Sequence, residues 1–574
     1  MRMTVAALSL VFSIGACSSG GGGNPGTPGS GGQTSSTGSG GFVTVPTGSG
    51  GDSGGTPGSG GDTGGPTGSG GATTTGSGGA GPTGSGGGGV SGGTGGAGGP
   101  GGSAAGSGGA GAPGTGGAAG ATTPAGPRLV TSTTGAYWKT DGALTEVTAG
   151  TVDVTVNDAT VAQTWEGFGG SFNELGWHYL SMLSEADRDM AIRLLFGNDG
   201  ARFNMGRIPI GSSDYGVDRY TLDETANDTT LASFSITRDM QRLIPYIKAA
   251  LAVRSDIRLW GSPWTPPTWM KMGPFMAGNV VSPFDGGTMK SDDATLKAFA
   301  QYFVKFVQAY GQQGITVEAI APQNEPNYSQ NYPSCVWAPA TFTSFIGKYL
   351  GPAMNAANLP TKIMLGTMSN PDSGKDMTIV SSVMGDAAAK SFVTIIGMQW
   401  GMIAGVPAAK AFGVPIWQTE HRCGNYPWMT ATYKPTAPND HAYGVESWGL
   451  IRDWIKAGIT AYSAWNMVLD TVGKGIDTTR DWAQNALLTV DVAGKKLNIT
   501  PTYYVFRHFS QFVQPGAKVV ATSGGDALAF KNPDGRIVTV LYNSGAAKTF
   551  IVSMGGKRFS FAMPAGGWAS VNSQ

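Results

Sequence analysis

Two glutamates stand at the ends of predicted strands, in segments that hold few other ionisable groups. Glu325 lies in Pro322-Gln323-Asn324-Glu325-Pro326, and Glu420 lies in Trp417-Gln418-Thr419-Glu420-His421. Two carboxyls that face the same cleft can break a glycosidic bond, because one protonates the leaving oxygen while the other attacks the sugar or activates water. A lone strand-end glutamate is more simply a solvated or salt-bridged residue, so it is the pair that favours catalysis.

Other polar and aromatic residues follow predicted strands in the same way. Arg207 ends the second strand, and Asp214 follows seven residues later. The rings at predicted strand ends or in the loops after them are Trp264, Trp269, Trp337, Trp400, Trp428, Trp465 and Tyr328. Sugars present C–H groups to flat rings and hydroxyls to Asn, Gln, Asp and Arg side chains. Since buried tryptophans are also common packing residues, we expect about half of these rings to contact substrate.

Charge and residue counts argue against several other classes of protein. Lys plus Arg number 37 and Asp plus Glu number 37, a balance that disfavours a basic surface for nucleic acid or anionic membrane. The chain has four histidines and three cysteines, and it has no HExxH, CxxC or Gly-rich Lys-Ser/Thr phosphate loop. We therefore predict an enzyme with no metal and no cofactor.

The elements that must position these residues have the pattern of eight strands alternating with helices. Candidate strands lie near 166–172, 201–210, 256–262, 315–322, 362–368, 392–400, 414–420 and 459–467, with 3.6-residue apolar periodicity between them. Eight such units predict an α/β fold, a (β/α)8 TIM barrel, whose catalytic groups come from the C-terminal ends of its strands. The alternative is an open doubly wound sheet, which we disfavour because no GxGxxG opens a helix after the first strand.

The segments on either side of the barrel have the short alternating pattern of an antiparallel sheet. We predict that residues 165–513 form the barrel and that 128–164 and 514–574 supply strands. Neither flanking segment has much core by itself, so we expect both to contribute to one β-sandwich attached to the barrel.

The N-terminal region has the features of an export signal followed by a spacer. Residues 1–17 contain Arg2, a short apolar run and Ile14-Gly15-Ala16-Cys17, which resembles a bacterial lipoprotein box with Cys17 as the lipidation site. Cleavage as an ordinary secretory signal is the alternative. Residues 18–127 are predicted to be a disordered linker, because 50 of the 107 residues from 20 to 126 are glycine. We expect an exported protein, either an outer-membrane or cell-surface lipoprotein or a secreted one.

Six motifs occur in an order that carries a family resemblance. They are Phe168-Gly169-Gly170-Ser171-Phe172, Arg207-Ile208-Pro209-Ile210, Ser262-Pro263-Trp264-Thr265-Pro266-Pro267-Thr268-Trp269, Gln323-Asn324-Glu325-Pro326, Ser463-Ala464-Trp465-Asn466 and ITPTYYVFRHFS at 499–510. The ordered set resembles glycoside hydrolase family 30, the glucosylceramidase-like family, and the match covers essentially all of residues 128–574. The resemblance implies a retaining mechanism with Glu325 as general acid/base and Glu420 as nucleophile.

The resemblance also implies roles for the residues around the pair. Asn324 matches the side chain that binds the sugar 2-hydroxyl, and Arg207 matches the cation that keeps the nucleophile ionised. Asp214 and Trp264 match positions that hold sugar hydroxyls and wall the pocket, and Trp465 matches the platform of the catalytic subsite. The predicted substrate-binding set is completed by Gln399, Trp400 and Asn466.

One motif departs from the family pattern, and two cysteines lie near the glutamates. After the sixth strand many members have His followed by an aromatic pair ending in Tyr, whereas this chain has Gln399-Trp400-Gly401. A tyrosine that donates to the nucleophile is therefore missing or is replaced from another loop. Cys335 and Cys423 follow the two glutamates, and in an oxidising compartment they form either a disulfide or two buried thiols.

These observations predict a retaining β-glycosidase that acts on an extracellular polysaccharide. Within the resembled family we expect an endo-β-1,6-glucanase; the alternatives are a glucosylceramidase, a xylanase, or a non-catalytic carbohydrate-binding surface protein. The expected partner is a polysaccharide or glycoconjugate substrate, with no nucleic acid and with membrane contact only through a lipid anchor. We expect the protein to be a monomer.

Overall fold

The structure is a computed structural model that describes residues 128–277, 281–369, 375–424, 440–479 and 483–573. Cys17, the 18–127 linker and Trp428 lie outside the described residues. In chain order the strands are β1 (Leu129–Thr133), β2 (Ala136–Lys139), β3 (Thr145–Glu146), β4 (Val154–Thr164), β5 (Gly167–Ser171), β6 (Met205–Pro209), β7 (Arg258–Ser262), β8 (Lys271–Ala277), β9 (Val281–Met289), β10 (Val317–Ile320), β11 (Lys362–Met368), β12 (Val393–Met398), β13 (Ile416–His421), β14 (Ala461–Asn466), β15 (Val468–Asp470), β16 (Leu488–Asp491), β17 (Lys496–Ile499), β18 (Lys518–Ser523), β19 (Asp526–Lys531), β20 (Ile537–Asn543), β21 (Lys548–Met554), β22 (Lys557–Met563) and β23 (Gly567–Asn572).

The helices lie mainly between the barrel strands. They are α1 (Glu174–Leu180), α2 (Glu185–Phe196), α3 (Leu243–Val253), α4 (Asp293–Gln312), α5 (Pro339–Ser344), α6 (Gly351–Ala356), α7 (Lys375–Gly385), α8 (Ala387–Phe392), α9 (Val406–Lys410), α10 (His441–Ala457) and α11 (Pro501–Ser510). Over the ranges that the structure describes, none of the helices combines the length and apolar character needed to cross a bilayer.

Eight parallel strands close into a barrel in the order β10-β11-β12-β13-β14-β5-β6-β7. Each coincides with one of the eight predicted strand segments, so the predicted barrel is confirmed. The pairing of β14 with β5, with Ser463 opposite Gly169, closes the sheet and rules out the open doubly wound alternative. The strands are almost wholly buried because helices cover one face and barrel side chains fill the other.

Close strand contact explains the glycine pair in the first barrel strand. A Cβ added at Gly169 would lie 2.2 Å from the carbonyl oxygen of Met205 in β6, far inside van der Waals contact. Only glycine allows the backbones to approach in this way. The Phe-Gly-Gly-Ser-Phe motif is therefore a packing requirement of the barrel.

Strands from both flanking segments form one ten-stranded sheet in the order β2-β1-β23-β20-β19-β18-β4-β21-β22-β3. Strand β4, from the N-terminal side of the barrel, lies between β18 and β21 from the C-terminal side. The prediction that both flanking segments build one β domain is confirmed. Alternate residues explain how it packs: Val520 faces the core of this domain, while Val519 and Phe530 join the core shared with the barrel.

Two small β elements lie outside the barrel and the large sheet. The antiparallel hairpin β8–β9 follows barrel strand β7, and β15–β17 form a three-stranded sheet after β14. Both arise from segments after the C-terminal ends of barrel strands, the side on which a barrel builds its active site. The hairpin was not among the predicted elements.

Candidate active site

The two glutamates lie at the same end of the barrel and are both buried. Glu325 comes shortly after β10 and is 8% exposed, and Glu420 lies near the end of β13 and is 5% exposed. The backbone of Glu325 is in the left-handed region, with φ of +46°. That conformation costs a non-glycine residue on the order of 1–3 kcal/mol, so the surrounding contacts must hold it. One of them is the hydrogen bond from Glu325 N to the Thr367 carbonyl oxygen, at 3.1 Å.

Glu420 accepts hydrogen bonds from three side chains. Arg207 Nη1 donates to its Oε2 at 2.6 Å, and Gln399 Nε2 donates to the same oxygen at 3.2 Å. Trp400 Nε1 donates to the other oxygen, Oε1, at 2.7 Å. Burial raises the pKa of Glu420, while the charge of Arg207 and these hydrogen bonds oppose the rise. The carboxylate form of Glu420 is thus well supported in a site from which water is largely excluded.

Glu325 is in a different environment and favours the protonated form. Burial and the nearby charge of Glu420 raise the pKa of Glu325 to about 8, although a hydrogen bond from Gln399 and the charge of Arg207 act in the opposite direction. Gln399 Nε2 lies 3.3 Å from Glu325 Oε1, and the hydroxyl of Tyr332 donates to Oε2 at 3.4 Å. These contacts are longer than those around Glu420. The site therefore contains one carboxyl suited to be ionised and one suited to carry a proton.

Gln399 connects the two carboxyls through a single nitrogen. Because Nε2 is 3.3 Å from a Glu325 oxygen and 3.2 Å from a Glu420 oxygen, these oxygens are separated by no more than the two distances together. That limit is compatible with the retaining separation of about 5–5.5 Å and falls at the bottom of the inverting range of about 6.5–9.5 Å. The hydroxyl of Thr419 donates to Gln399 Oε1 at 2.9 Å, which fixes the orientation of the amide.

Arg207 is completely buried and joins three parts of the site. Besides Glu420, it donates through Nη2 to Asn324 Oδ1 at 2.6 Å and to Ser262 Oγ at 3.1 Å. The guanidinium carbon lies 4.3 Å from the ring centre of Trp264 and 5.3 Å from that of Trp465. Ion pairing and ring contacts together hold this cation in one place.

The amide of Asn324 also has a defined orientation. Its Oδ1 accepts from Arg207 at 2.6 Å and from Thr367 Oγ1 at 2.9 Å, and Gln399 Nε2 lies 3.3 Å from it. With this oxygen occupied, the group left to meet a ligand is Nδ2, a hydrogen-bond donor. A sugar hydroxyl is a suitable acceptor for it.

Beside the carboxyl pair, an aromatic wall contains buried polar atoms without a protein partner. Trp264 and Trp465 stack with ring centres 5.1 Å apart, and Tyr215 meets Trp465 edge-on at 6.1 Å. Trp465 Nε1 and Asp214 Oδ1 are both buried and make no hydrogen bond within the protein. Burial and the charges of both glutamates raise the pKa of Asp214 well above its usual range. Unpaired buried polar atoms are costly, and ligand hydroxyls would satisfy them.

The structure brings most, but not all, of the sequence-predicted residues together. Asn466 lies at the end of β14, but its amide is used within the protein: Oδ1 accepts from Asn173 at 2.8 Å and Nδ2 donates to Gln484 at 3.4 Å. Trp337 packs in the core against Phe299 rather than at the mouth. Tyr332 was not predicted, although it follows Glu325 by only seven residues.

The structure contradicts the predicted disulfide. Cys335 and Cys423 are both free and buried. The Cys335 thiol donates to the carbonyl of Val336 at 3.7 Å, and the Cys423 thiol donates to the carbonyl of His421 at 3.8 Å. Burial raises the pKa of each thiol to about 12. Both loops follow glutamates of one mouth, but each cysteine points into its own packing environment, so the alternative of two buried thiols holds.

The structure also shows which residue replaces the tyrosine that is missing after the sixth barrel strand. The hydrogen bond that the missing tyrosine would supply to the nucleophile position comes from Trp400, the middle residue of Gln399-Trp400-Gly401. Trp400 has φ of +49° and begins a 3₁₀ turn directly after β12 and Gln399. In this left-handed backbone conformation the indole N–H of Trp400 reaches Glu420.

Comparison with known proteins identifies the family. The glycosyl hydrolase family 30 TIM-barrel domain matches residues 165–513, and the beta sandwich domain of the same family matches residues 516–571. The endo-1,6-beta-D-glucanase of Neurospora crassa is 28% identical over 406 residues, covering 68% of this chain and 80% of that protein. The lysosomal acid glucosylceramidase of Mus musculus is 27% identical over 402 residues, covering 66% and 75%.

Solved structures share the fold. The endo-beta1,6-glucanase BT3312 superposes with a TM-score of 0.68 at 24% identity, covering 77% of this chain and 98% of that one. SrfJ from Salmonella typhimurium gives 0.67 at 22% identity, covering 78% and 99%. The ordered motifs, the closed barrel and both domain matches lead to one conclusion: this chain belongs to glycosyl hydrolase family 30 and is a glycoside hydrolase of the retaining kind.

Proposed function

We propose that this protein is an endo-β-1,6-glucanase that cleaves an extracellular polysaccharide, with Glu420 as nucleophile and Glu325 as general acid/base. The two roles rest on one observation: Glu420 and Glu325, which both contact Gln399, have different surroundings, and these favour the ionised form of the first and the protonated form of the second. Glu420 accepts hydrogen bonds from three side chains, one of them the cation Arg207, whereas burial and the Glu420 charge raise the pKa of Glu325 to about 8. One group therefore attacks and the other donates a proton.

In the first step Glu420 attacks the anomeric carbon and Glu325 gives its proton to the glycosidic oxygen. The bond between the anomeric carbon and the leaving oxygen breaks, and a glycosyl ester forms on Glu420. Arg207 and Trp400 hold the attacking carboxylate in place, at 2.6 and 2.7 Å. As negative charge leaves Glu420, the pKa of Glu325 falls, so it becomes able to act as a base.

In the second step Glu325 takes a proton from water while the water oxygen attacks the anomeric carbon. The ester bond to Glu420 breaks, and the sugar is released with its original β configuration. Both groups return to their starting protonation states, so the cycle consumes one water for each bond cleaved.

Sugar recognition is assigned to the wall beside the pair. In this proposal Asn324 Nδ2 donates to the hydroxyl next to the anomeric carbon, and the buried polar atoms Asp214 Oδ1 and Trp465 Nε1 bind further hydroxyls. A hydroxyl-rich hexose satisfies more of these groups than a pentose does, which supports a glucan over a xylan. The fungal endo-1,6-beta-D-glucanase relative and the endo-beta1,6-glucanase structure support the linkage.

Glucosylceramidase activity is the second candidate, because the mouse lysosomal acid glucosylceramidase matches over 66% of this chain. A panel of β-1,6-glucan, xylan, β-galactan and glucosylceramide separates the candidates. We expect β-1,6-glucan to be cleaved with the release of short oligosaccharides from the start of the reaction. Preferential cleavage of glucosylceramide, or release of single glucose units alone, contradicts the endo-glucanase assignment. Binding without cleavage of any member supports a carbohydrate-binding protein instead.

The roles of the glutamates have their own test. Glu420→Gln should abolish turnover, and azide should not restore it. Glu325→Ala should still cleave substrates with an activated leaving group, and azide should accelerate this variant and yield a β-glycosyl azide. Glu318→Gln is the matched control, since Glu318 lies in β10, the strand that precedes Glu325, but pairs with Arg258 at 2.7 Å. NMR of the first product of the unaltered enzyme should show the β-anomer; an α-anomer contradicts both roles.

We further propose that the barrel is held at the cell surface through Cys17 and the 18–127 linker. The lipoprotein-like box and the glycine-rich composition support this arrangement. Metabolic labelling with a fatty acid should mark the unaltered chain and not Cys17→Ser. Equal labelling of both, or labelling of neither, contradicts lipid anchoring.

A further inference from the structure

The loop that follows Glu325 is joined to the hairpin β8–β9 along its length. We call residues 326–337 the acid/base loop. Three backbone hydrogen bonds connect the two elements: Ser334 N to Phe284 O at 3.1 Å, Val336 N to Gly287 O at 2.8 Å, and Met289 N to Val336 O at 3.0 Å. The loop therefore behaves as a further strand on the hairpin rather than as a free connection.

A buried lysine lies at the centre of this junction. Lys271, the first residue of β8, is 4% exposed, and its ammonium donates to three backbone carbonyls. Two belong to the hairpin, Phe284 O and Gly286 O, each at 2.8 Å, and the third is Ser334 O in the acid/base loop at 3.0 Å. An ammonium has three N–H groups, so all of its donors are used. The lysine thus clamps the hairpin to the loop.

The hairpin and the acid/base loop are in close contact at two further places. Gly286 has φ of +66°, and a Cβ there would lie 2.5 Å from Ser329 Oγ in the acid/base loop. At the outer side, Arg219 pairs with Asp285 of the hairpin at 2.7 Å and donates to Asn331 O of the loop at 3.0 Å. Such contacts leave little room for the loop to move without the hairpin.

The junction leads directly to the acid/base carboxyl. The hydroxyl of Ser334 donates to the carbonyl of Tyr332 at 2.9 Å, and the hydroxyl of Tyr332 donates to Glu325 Oε2 at 3.4 Å. Tyr332 is 6% exposed. A continuous set of hydrogen bonds therefore runs from Lys271 through Ser334 and Tyr332 to Glu325.

We propose that Lys271 is a positioning residue for proton transfer: it clamps the acid/base loop so that Tyr332 holds Glu325 where the leaving oxygen arrives. The inference rests on the proposed role of Glu325 and adds the residue that fixes the position of its carboxyl. Lys271 touches neither the reacting atoms nor Glu420. Its loss should therefore impair steps that need acid catalysis more than it impairs nucleophilic attack.

The test compares two glycosides of one sugar in the full-length protein. A 2,4-dinitrophenyl glycoside departs without a proton, whereas an alkyl glycoside needs one, and kcat/KM for each reports formation of the glycosyl ester. We expect Lys271→Met to lower kcat/KM for the alkyl glycoside at least tenfold more than for the dinitrophenyl glycoside. Tyr332→Phe should produce the same selectivity, and the double variant should lose no more than the worse single one.

The control is Lys305→Met. Lys305 in α4 also donates to a backbone carbonyl, that of Leu231 at 2.7 Å, but lies outside the acid/base loop and the hairpin. It should change both substrates equally or not at all. Equal loss on the two substrates in Lys271→Met, or additive losses in the double variant, overturns the proposal.

Two further variants keep the outcomes separable. If Lys271→Met does not fold, as judged by circular dichroism, Ser334→Ala must show the substrate selectivity; its absence there overturns the proposal. Glu325→Ala is measured beside them. If that variant lacks the selectivity, the proposed role of Glu325 fails; if it has the selectivity and Lys271→Met does not, only the role of Lys271 fails.

Discussion

Replacement of Trp400 by phenylalanine tests how the site keeps its nucleophile ionised. The indole N–H donates to Glu420 Oε1 at 2.7 Å, while Arg207 and Gln399 serve the other oxygen. Trp400→Phe retains an aromatic ring and removes this one donor. Because the donor stabilises the carboxylate form, its loss must raise the pKa of Glu420.

The size of the change follows from the strength of the bond. A hydrogen bond to a charged group contributes about 1.5–3 kcal/mol, and about 1.4 kcal/mol corresponds to one unit of pKa. Since Arg207 remains on the other oxygen, we expect the low end, a rise of about one unit. Glu420 must be ionised to attack, so activity is lost as the pH falls through its pKa, and the acid limb should move to higher pH. The alkaline limb, where Glu325 loses its proton with a pKa of about 8, should move much less.

The assay is kcat/KM for an aryl glycoside measured across pH 4 to 9. Trp269→Phe is the control, because its indole N–H donates at 3.2 Å to the backbone carbonyl of Asp223 and not to a catalytic carboxyl. An acid limb that stays in place in Trp400→Phe, with the fold intact by circular dichroism, refutes the idea that this indole supports the nucleophile. Equal shifts in both tryptophan variants also refute it.

Three other predictions follow from the linker, the thiols and a buried aspartate. Deleting residues 18–127 should leave turnover of a soluble substrate unchanged within a few-fold, and loss of folding would mean that the segment is structural. Cys335 and Cys423 should resist alkylation in the folded, unreduced protein and react fully in denaturant; a cross-linked peptide in non-reducing mapping contradicts this. Asp239 accepts from two tyrosines and its buried carboxyl has a pKa raised from 3.8 to about 7, so it binds its proton more tightly when folded. The stability of the unaltered chain relative to Asp239→Asn should therefore fall as pH rises from about 4 to 7, by up to roughly 4 kcal/mol in urea unfolding; an unchanged difference contradicts the shifted pKa.

Much of the fold could be predicted because its signals are local. The eight barrel strands are short apolar runs between amphipathic helices, and all eight segments were located from this pattern. The pooling of the flanking strands followed from the small core of each segment, and β4 does lie between β18 and β21. The hairpin β8–β9 was missed because Gly273, Pro274, Gly286 and Gly287 interrupt its alternation. Its stability comes from contacts with a loop nearly fifty residues further along the chain.

Side-chain pairing was much harder to predict than the positions of the strands. Cys335 and Cys423 each follow a glutamate of the same site, yet packing directs their thiols to separate carbonyls. A position in a loop does not specify the direction of the side chain, which depends on the backbone turn and on its neighbours. For the same reason the sequence, which predicts Asn466 among the substrate-binding residues, does not reveal that its amide is hydrogen-bonded to Asn173 and Gln484.

The sequence by itself determined the barrel, the two glutamates at its mouth and the family, because periodicity and ordered motifs are properties of the chain. It also showed that the usual donor to the nucleophile was absent. Only the tertiary structure decided what replaces that donor: the left-handed turn at Trp400 brings an indole N–H to Glu420, and closure of the barrel brings Gln399 between both carboxyls. Hydrogen bonds depend on distances of a few tenths of an ångström between residues far apart in the chain, and folding alone sets those distances.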